Sequence, residues 1–270
     1  GNYATDCSQS YEPSLNKEVY LMHIVSPECF NQLPHAILFD IDNTLYSYEE
    51  PHEAALEAVK EKAMKTFSID SSAFDEAFLE ARSAIKKRLG NVASSHSRLL
   101  YMQKTLEILG LGSQILNSLD LEQTYWRVFL RNAELFENVK ELLDDVRLLH
   151  IPTAVVTDLT AQVQFRKMVY FGLDQYFDFI VTSEEAGKDK PDQEPFKIAL
   201  QKINPKGSCV WMIGDHPEKD ILGSKETIDA ITLQKSHKGE NQRESKADLI
   251  FNQYSEIRKL IKELKENDSK

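Results

Sequence analysis

Cysteine is scarce. Cys7, Cys29 and Cys209 are the only three in 270 residues, an odd number at spacings that build neither a metal-ligand pattern nor a disulfide framework, which points to a reducing compartment and a cytoplasmic protein. Long apolar runs are missing too. No stretch approaches the roughly 20 residues that a bilayer-spanning helix needs, and the polar first segment has no basic region followed by an apolar one, so neither a membrane span nor a secretory leader is expected. Basic residues are outnumbered, with 32 Lys and Arg against 43 Asp and Glu and a formal net charge of -11. That field opposes a broad nucleic-acid-binding face and admits a small anionic substrate only where local groups capture it. The chain shows no internal repeat and no low-complexity tract.

What is present is an alternation. Short apolar runs are expected as strands at Ala36 to Asp40, Thr153 to Asp158, Phe179 to Ser183, Ser208 to Gly214, Ala230 to Leu233 and Asp248 to Phe251. Longer runs of helical period lie between them, such as Val139, Leu142, Leu143, Val146 and Leu149. This rhythm predicts an α/β fold, a Rossmann-like parallel sheet with helices on both faces. Between the first two strands the pattern turns wholly helical, and residues 51-136 are expected to form an inserted all-α cap domain. The α/β core is then residues 35-50 and 137-270, preceded by an N-terminal extension at 1-34, whose apolar patch Val19 to Val25 is either an edge strand or a tail. Gln234 to Lys246 reads as a solvated loop, and Ile257, Leu260, Ile261 and Leu264 mark a C-terminal amphipathic helix.

The first strand delivers two carboxylates, Asp40 and Asp42, to the sheet edge where open α/β folds bind ligands. Two close acids repel unless a cation is shared or one pKa rises, but Asp-x-Asp alone is also ordinary turn chemistry. A second buried strand ends in Gly214-Asp215, with Asp220 five positions later. Gly214 permits a sharp turn, so that Asp215 can complete an all-oxygen site with Asp40 and a backbone carbonyl, a donor set suited to Mg²⁺. Asp220 is either part of that metal site or a helix N-terminal acid. Thr157, at the end of a third strand, offers a hydroxyl to phosphate oxygens, and Lys190 offers a compact cation, with Lys188 as its competitor.

In this order the residues resemble the haloacid dehalogenase-like superfamily of phosphohydrolases. Asp40-Ile41-Asp42-Asn43-Thr44 resembles the first motif of that family, Thr157 the second, Lys190-Pro191-Asp192 the third, and Gly214-Asp215 with Asp220 the fourth. The likeness runs from Pro34 to the last strand, and the helical insertion falls where members carry a C1-type cap. It implies an aspartyl-phosphate on Asp40, Asp42 as acid and then base, and Mg²⁺ held by Asp40, the Asp42 carbonyl and Asp215. The expected activity is hydrolysis of a small phosphorylated metabolite: a sugar phosphate, an acylneuraminate-type phosphate or a nucleotide. A phosphosugar mutase, which returns the phosphoryl group to its substrate, and a non-catalytic binding protein of the same fold are the alternatives. The expected partner is a small phosphorylated substrate, with no nucleic-acid polymer and no membrane, and the protein is read as a monomer or homodimer. One departure stands out: Asp158 follows Thr157 where the family often has Asn, placing an acid beside the phosphate site as a specificity element or a helix cap. In the cap, His96 and Arg98 are candidates for binding a sugar or a second anion, against the plainer reading of a Ser-rich helix cap with a solvated Arg. Tyr46 and Tyr48 lead into the cap and either line its entrance or pack there.

Overall fold

The computed structural model describes residues 22 to 237 and 245 to 270. Cys7, most of the expected N-terminal extension and the middle of the expected loop after Gln234 lie outside the described residues. The strands are β1 (His23–Ile24), β2 (Ala36–Phe39), β3 (Thr153–Thr157), β4 (Phe179–Thr182), β5 (Val210–Gly214), β6 (Ile231–Lys235) and β7 (Leu249–Phe251). They form one sheet in the order β1-β7-β6-β5-β2-β3-β4. Every neighbouring pair is parallel except β1 with β7, so the end of the N-terminal apolar patch is an antiparallel edge strand.

The helices are α1 (Glu49–Phe67), α2 (Ser71–Leu89), α3 (Arg98–Ile108), α4 (Ile115–Arg131), α5 (Val139–Leu148), α6 (Ala161–Tyr170), α7 (Ser183–Ala186), α8 (Gln193–Ile203), α9 (Gly223–Ile228) and α10 (Tyr254–Asp268). Successive residues of β2 point to opposite faces, and both faces are covered. Ile37 and Phe39 join Val146 of α5, Met168 of α6 and Ile257 of α10 in one apolar cluster. Ala36 and Leu38 join Phe196 and Ala199 of α8 in another. Helices α1 to α4, inserted between β2 and β3, pack mainly on one another, α1 against α4 and α2 and α4 against α3.

The expected loop from Gln234 is corrected at its start. Gln234 and Lys235 belong to β6, pairing with Ile250 and Phe251 of β7. Both are buried, as is Ser236. The ladder on each side of β6 draws these polar residues in. Lys235 answers by donating to the Ser236 carbonyl at 2.9 Å and laying its ammonium 4.4 Å from the Phe136 ring centre.

The arrangement makes stability position-specific. Leu38→Ala, in the fully buried strand, is expected to cost about 2–5 kcal/mol. Leu148→Ala, at a side chain 79% exposed, should stay within about 0.5 kcal/mol of the parent. Urea unfolding of the two variants beside the parent checks this.

Candidate active site

Strand β2 sits between β3 and β5, and Phe39 is in register with Val155 of the one and Ile213 of the other. Asp40, Thr157 and Asp215 therefore leave the sheet along one edge. After β2 the chain turns at once, with the amides of Thr44 and Leu45 both returning to the Ile41 carbonyl at 3.1 and 2.9 Å. Asn43 takes a φ of 61° in this turn, a left-handed conformation that asparagine tolerates better than most side chains. The turn brings Asp40 and Asp42 to the wall of one cavity of about 760 Å³, shared with Lys190, Asp215 and Asp220.

Lys190 holds the floor together. Its buried ammonium donates to Asp40 Oδ1 at 2.9 Å, Asp220 Oδ1 at 2.7 Å and the Val156 carbonyl at 2.8 Å. Lys188 instead lines a separate hollow beside Asn91 and Pro191. Asp192, two residues after Lys190, caps α8 by accepting the Glu194 amide at 3.0 Å. On the other side of Asp40, the Thr44 hydroxyl lies 2.9 Å from Asp40 Oδ2 and 3.4 Å from Asp215 Oδ1.

One ammonium does not balance these acids. Burial, with Asp220 beside it and Lys190 opposing, pushes the Asp40 carboxyl up to about 6. Burial, then Asp40 and Asp220, pushes Asp215 up to about 9. Asp40, Asp215 and Asp220 each offer an oxygen within 4.8 Å of the others. Hard oxygens gathered this closely, with the Asp40 and Asp215 carboxyls raised by burial and by their acidic neighbours, form a donor set that fits a divalent cation of the Mg²⁺ kind. Gly214 is required for the crowding: a Cβ on it would lie 2.5 Å from the Asp220 Cβ. Asp220 serves the turn as well, its Oδ2 accepting the His216 amide at 3.0 Å.

Asp42 lives in a different environment. Its Oδ1 accepts from Lys167 Nζ at 2.8 Å and from the Tyr46 hydroxyl, and its Oδ2 from Gln164 Nε2 at 3.1 Å. Burial works to raise this carboxyl, but Lys167, Tyr46 and Gln164 outweigh it and hold the group below the usual carboxylate range. Gln164 and Lys167 were not anticipated from the sequence. No sequence signal marks them: both are fully buried, while Phe165 and Val169 of the same helix are exposed. Tyr46 packs and reaches Asp42, whereas Tyr48 lines the cavity.

The remaining candidates divide. Thr157 is buried beneath the edge, accepting from Gln164 at 2.6 Å, and is not among the cavity-lining residues. Asp158 lines the cavity with its carboxylate engaged, by the Lys190 amide at 2.9 Å and Lys219 Nζ at 3.1 Å; it caps no helix. His96 joins the insertion to the sheet edge through Asp189, 2.7 Å away. Ser97 does cap α3, accepting the Leu100 amide at 3.2 Å, but Arg98 is buried rather than solvated.

Residues 34–226 match the family model described as haloacid dehalogenase-like hydrolase. The chain belongs to this family. It is 34% identical over 190 residues to a ribulose-1,5-bisphosphate 5-phosphatase of Halopiger xanaduensis, covering 70% of this chain and 80% of the relative. It is 28% identical over 233 residues to a glyceraldehyde 3-phosphate phosphatase of Methanocaldococcus jannaschii, covering 86% and 98%. The fold is shared with a phosphatase of the family from Thermococcus onnurineus, with a TM-score of 0.63 and 21% identity over 84% of this chain and 97% of that one. Family and relatives agree on a phosphoric monoester hydrolase, the enzyme class implied by the motifs. No described helix is long and apolar enough to cross a membrane.

For this member of the family, Gly214→Ala should displace Asp220 and with it the Lys190 ammonium. Turnover of p-nitrophenyl phosphate is expected to fall about a hundredfold, the scale of an ångström-level misplacement, in steady-state assays beside a thermal melt.

Proposed function

We propose that this protein hydrolyses small phosphorylated metabolites, sugar phosphates first among them, with Asp40 as the covalent nucleophile and the insertion of residues 51-136, built on α1 to α4 with α1 starting two residues earlier at Glu49, as the cap over the reaction. The observation that carries the reading is the Asp40 carboxylate fixed between Lys190 and Thr44 on the floor of the cavity, with Asp42 two residues away in a contrasting environment. The relatives named for ribulose-1,5-bisphosphate and glyceraldehyde 3-phosphate support a short sugar phosphate as substrate.

In the first step an Asp40 oxygen attacks phosphorus, the bond from phosphorus to the leaving oxygen breaks, and Asp42 in its acid form gives that oxygen a proton. In the second step water attacks the aspartyl-phosphate, Asp42 takes its proton, and inorganic phosphate leaves with Asp40 restored. Lys190 neutralises charge on the transferring group throughout. Asp40, Asp215, Asp220 and the Asp42 carbonyl are the groups proposed to hold Mg²⁺, which when bound supplies charge neutralisation that a carboxylate needs to approach a phosphate dianion. Asp42 as found, ionised against Lys167, is the base of the second step; as an acid it must first gain a proton against the pull of Lys167, Tyr46 and Gln164.

Asp40→Asn should lose essentially all turnover of p-nitrophenyl phosphate with Mg²⁺ present, while keeping its fold by circular dichroism; retained turnover in a clean preparation overturns the assignment. Chelation with EDTA should abolish activity and added Mg²⁺ restore it. Lys167→Met removes the cation beside Asp42. A carboxyl with a depressed pKa is ionised down to that lower value, so losing Lys167 raises it and moves toward neutral pH the acid limb of kcat for p-nitrophenyl phosphate, whose good leaving group leaves the second step, with Asp42 as base, to set the rate. An unmoved limb would show that Asp42 is not the titrating group.

A further inference from the structure

Part of the cavity lining comes from the insertion, and it gathers three cations, Arg82, Lys86 and Arg98, that no ion pair answers among the described residues. Arg98 is only 8% exposed. Its guanidinium donates to the His96 carbonyl at 2.7 Å and to the Tyr48 hydroxyl, and lies 5.3 and 5.2 Å from the ring centres of Tyr125 and Trp126. Its Nε has no hydrogen-bond partner. Among the described residues no carboxylate forms an ion pair with it. A buried cation satisfied by hydroxyl, carbonyl and rings alone still lacks a counter-charge, and such burial is costly.

Arg82 and Lys86 add to it. They stand one turn apart on α2 and line the same cavity as Arg98, although like charges at that spacing weaken a helix. Lys86 is half-buried, its ammonium 3.1 Å from His96 Nδ1. Burial, followed by Arg82, Arg98 and Lys219, pushes it down to about 8. His52 is pushed down to about 4 by burial and then by Arg98 and Arg82, so it stays neutral and adds no charge of its own. The acids that the insertion brings to the cavity are Glu49 and Asp75; Glu49 is exposed, and Asp75 lies 3.3 Å from Lys60.

We infer that Arg82, Lys86 and Arg98 form a subsite for a second phosphate, so that the substrate class is a small molecule carrying phosphate at both ends. The inference rests on the phosphatase reading above and specifies its substrate. One phosphate lies at Asp40 and Lys190 and is cleaved; the other is held on the cap wall and retained. At about 760 Å³ the cavity is in the range of sites that enclose a whole small ligand, spanning from the acidic floor to this wall. Arg98 supplies a fixed planar charge, and Arg82 and Lys86 supply cations on the open side, a combination suited to a dianion.

The test uses α,ω-alkanediol bisphosphates from propane to hexane and the matching alkyl monophosphates, assayed by phosphate release with Mg²⁺. At one or more spacings the bisphosphate should exceed its monophosphate in kcat/KM by about tenfold or more, the scale of one charge-assisted hydrogen bond. In the Arg82→Gln, Lys86→Gln double variant, checked by thermal melt, that advantage should shrink to about twofold or less, with the change in KM rather than kcat. Parity of bisphosphate and monophosphate at every spacing overturns the subsite, as does an advantage that survives in the double variant. Release from no probe, p-nitrophenyl phosphate included, overturns the phosphatase reading itself and the subsite with it, a result distinct from the other two.

Discussion

The Lys190 ammonium is the interaction on which the site depends. It is buried among Asp40, Asp220 and the Val156 carbonyl, and a buried charge survives only when its neighbours answer it. Each neighbour comes from a different strand end: Asp40 from β2, Val156 from β3, Asp220 from the turn after β5. The lysine thus ties three neighbouring strands, β5, β2 and β3, at the edge that carries the candidate site. The glycine before Asp215 and the left-handed Asn43 are the local conditions that let backbone and carboxylates approach so closely.

Asp40 and Asp42 are two residues apart and electrostatically opposite. One carboxyl is raised by burial and by the acids beside it; the other is buried as well but is surrounded by donors that outweigh burial and lower it. The division comes from direction rather than from distance along the chain. Asp40 faces the fourth-motif acids, and Asp42 faces α6 with Lys167, which itself sits against Trp126 and Phe129 of α4. Pairs of acids whose surroundings separate their pKa values are a familiar basis for dividing chemical roles.

Much of this was legible in the sequence, for identifiable reasons. Strands buried on both faces are written as continuous apolar runs, so β2, β3 and β5 could be placed within a residue or two, and their acidic ends pointed to one edge. Lys190, set in the Lys190-Pro191-Asp192 motif, is the lysine that reaches Asp40, while its competitor Lys188 lines a separate hollow. Residues whose meaning depends on tertiary neighbours could not be read. Lys167 and Gln164 look like ordinary helix residues until α6 is laid against β2. Lys235 looks solvated until β7 pairs beside it and the Phe136 ring covers its ammonium. Arg98 follows a Ser-rich turn that fits a surface cap, and only the aromatic residues of α3 and α4 show it to be enclosed.

The tie between His96 and Asp189 has a further consequence. The amide of Asp189 also donates to the Asn91 carbonyl at 2.9 Å, and its carboxylate lies 2.7 Å from His96. Both partners belong to the insertion, and the next residue in the chain is Lys190. Any swing of α2 and α3 away from the sheet that leaves Asp189 in place breaks these bonds on the residue adjoining the central cation, so the position of the insertion and the geometry around Lys190 are geared to each other through a single peptide unit.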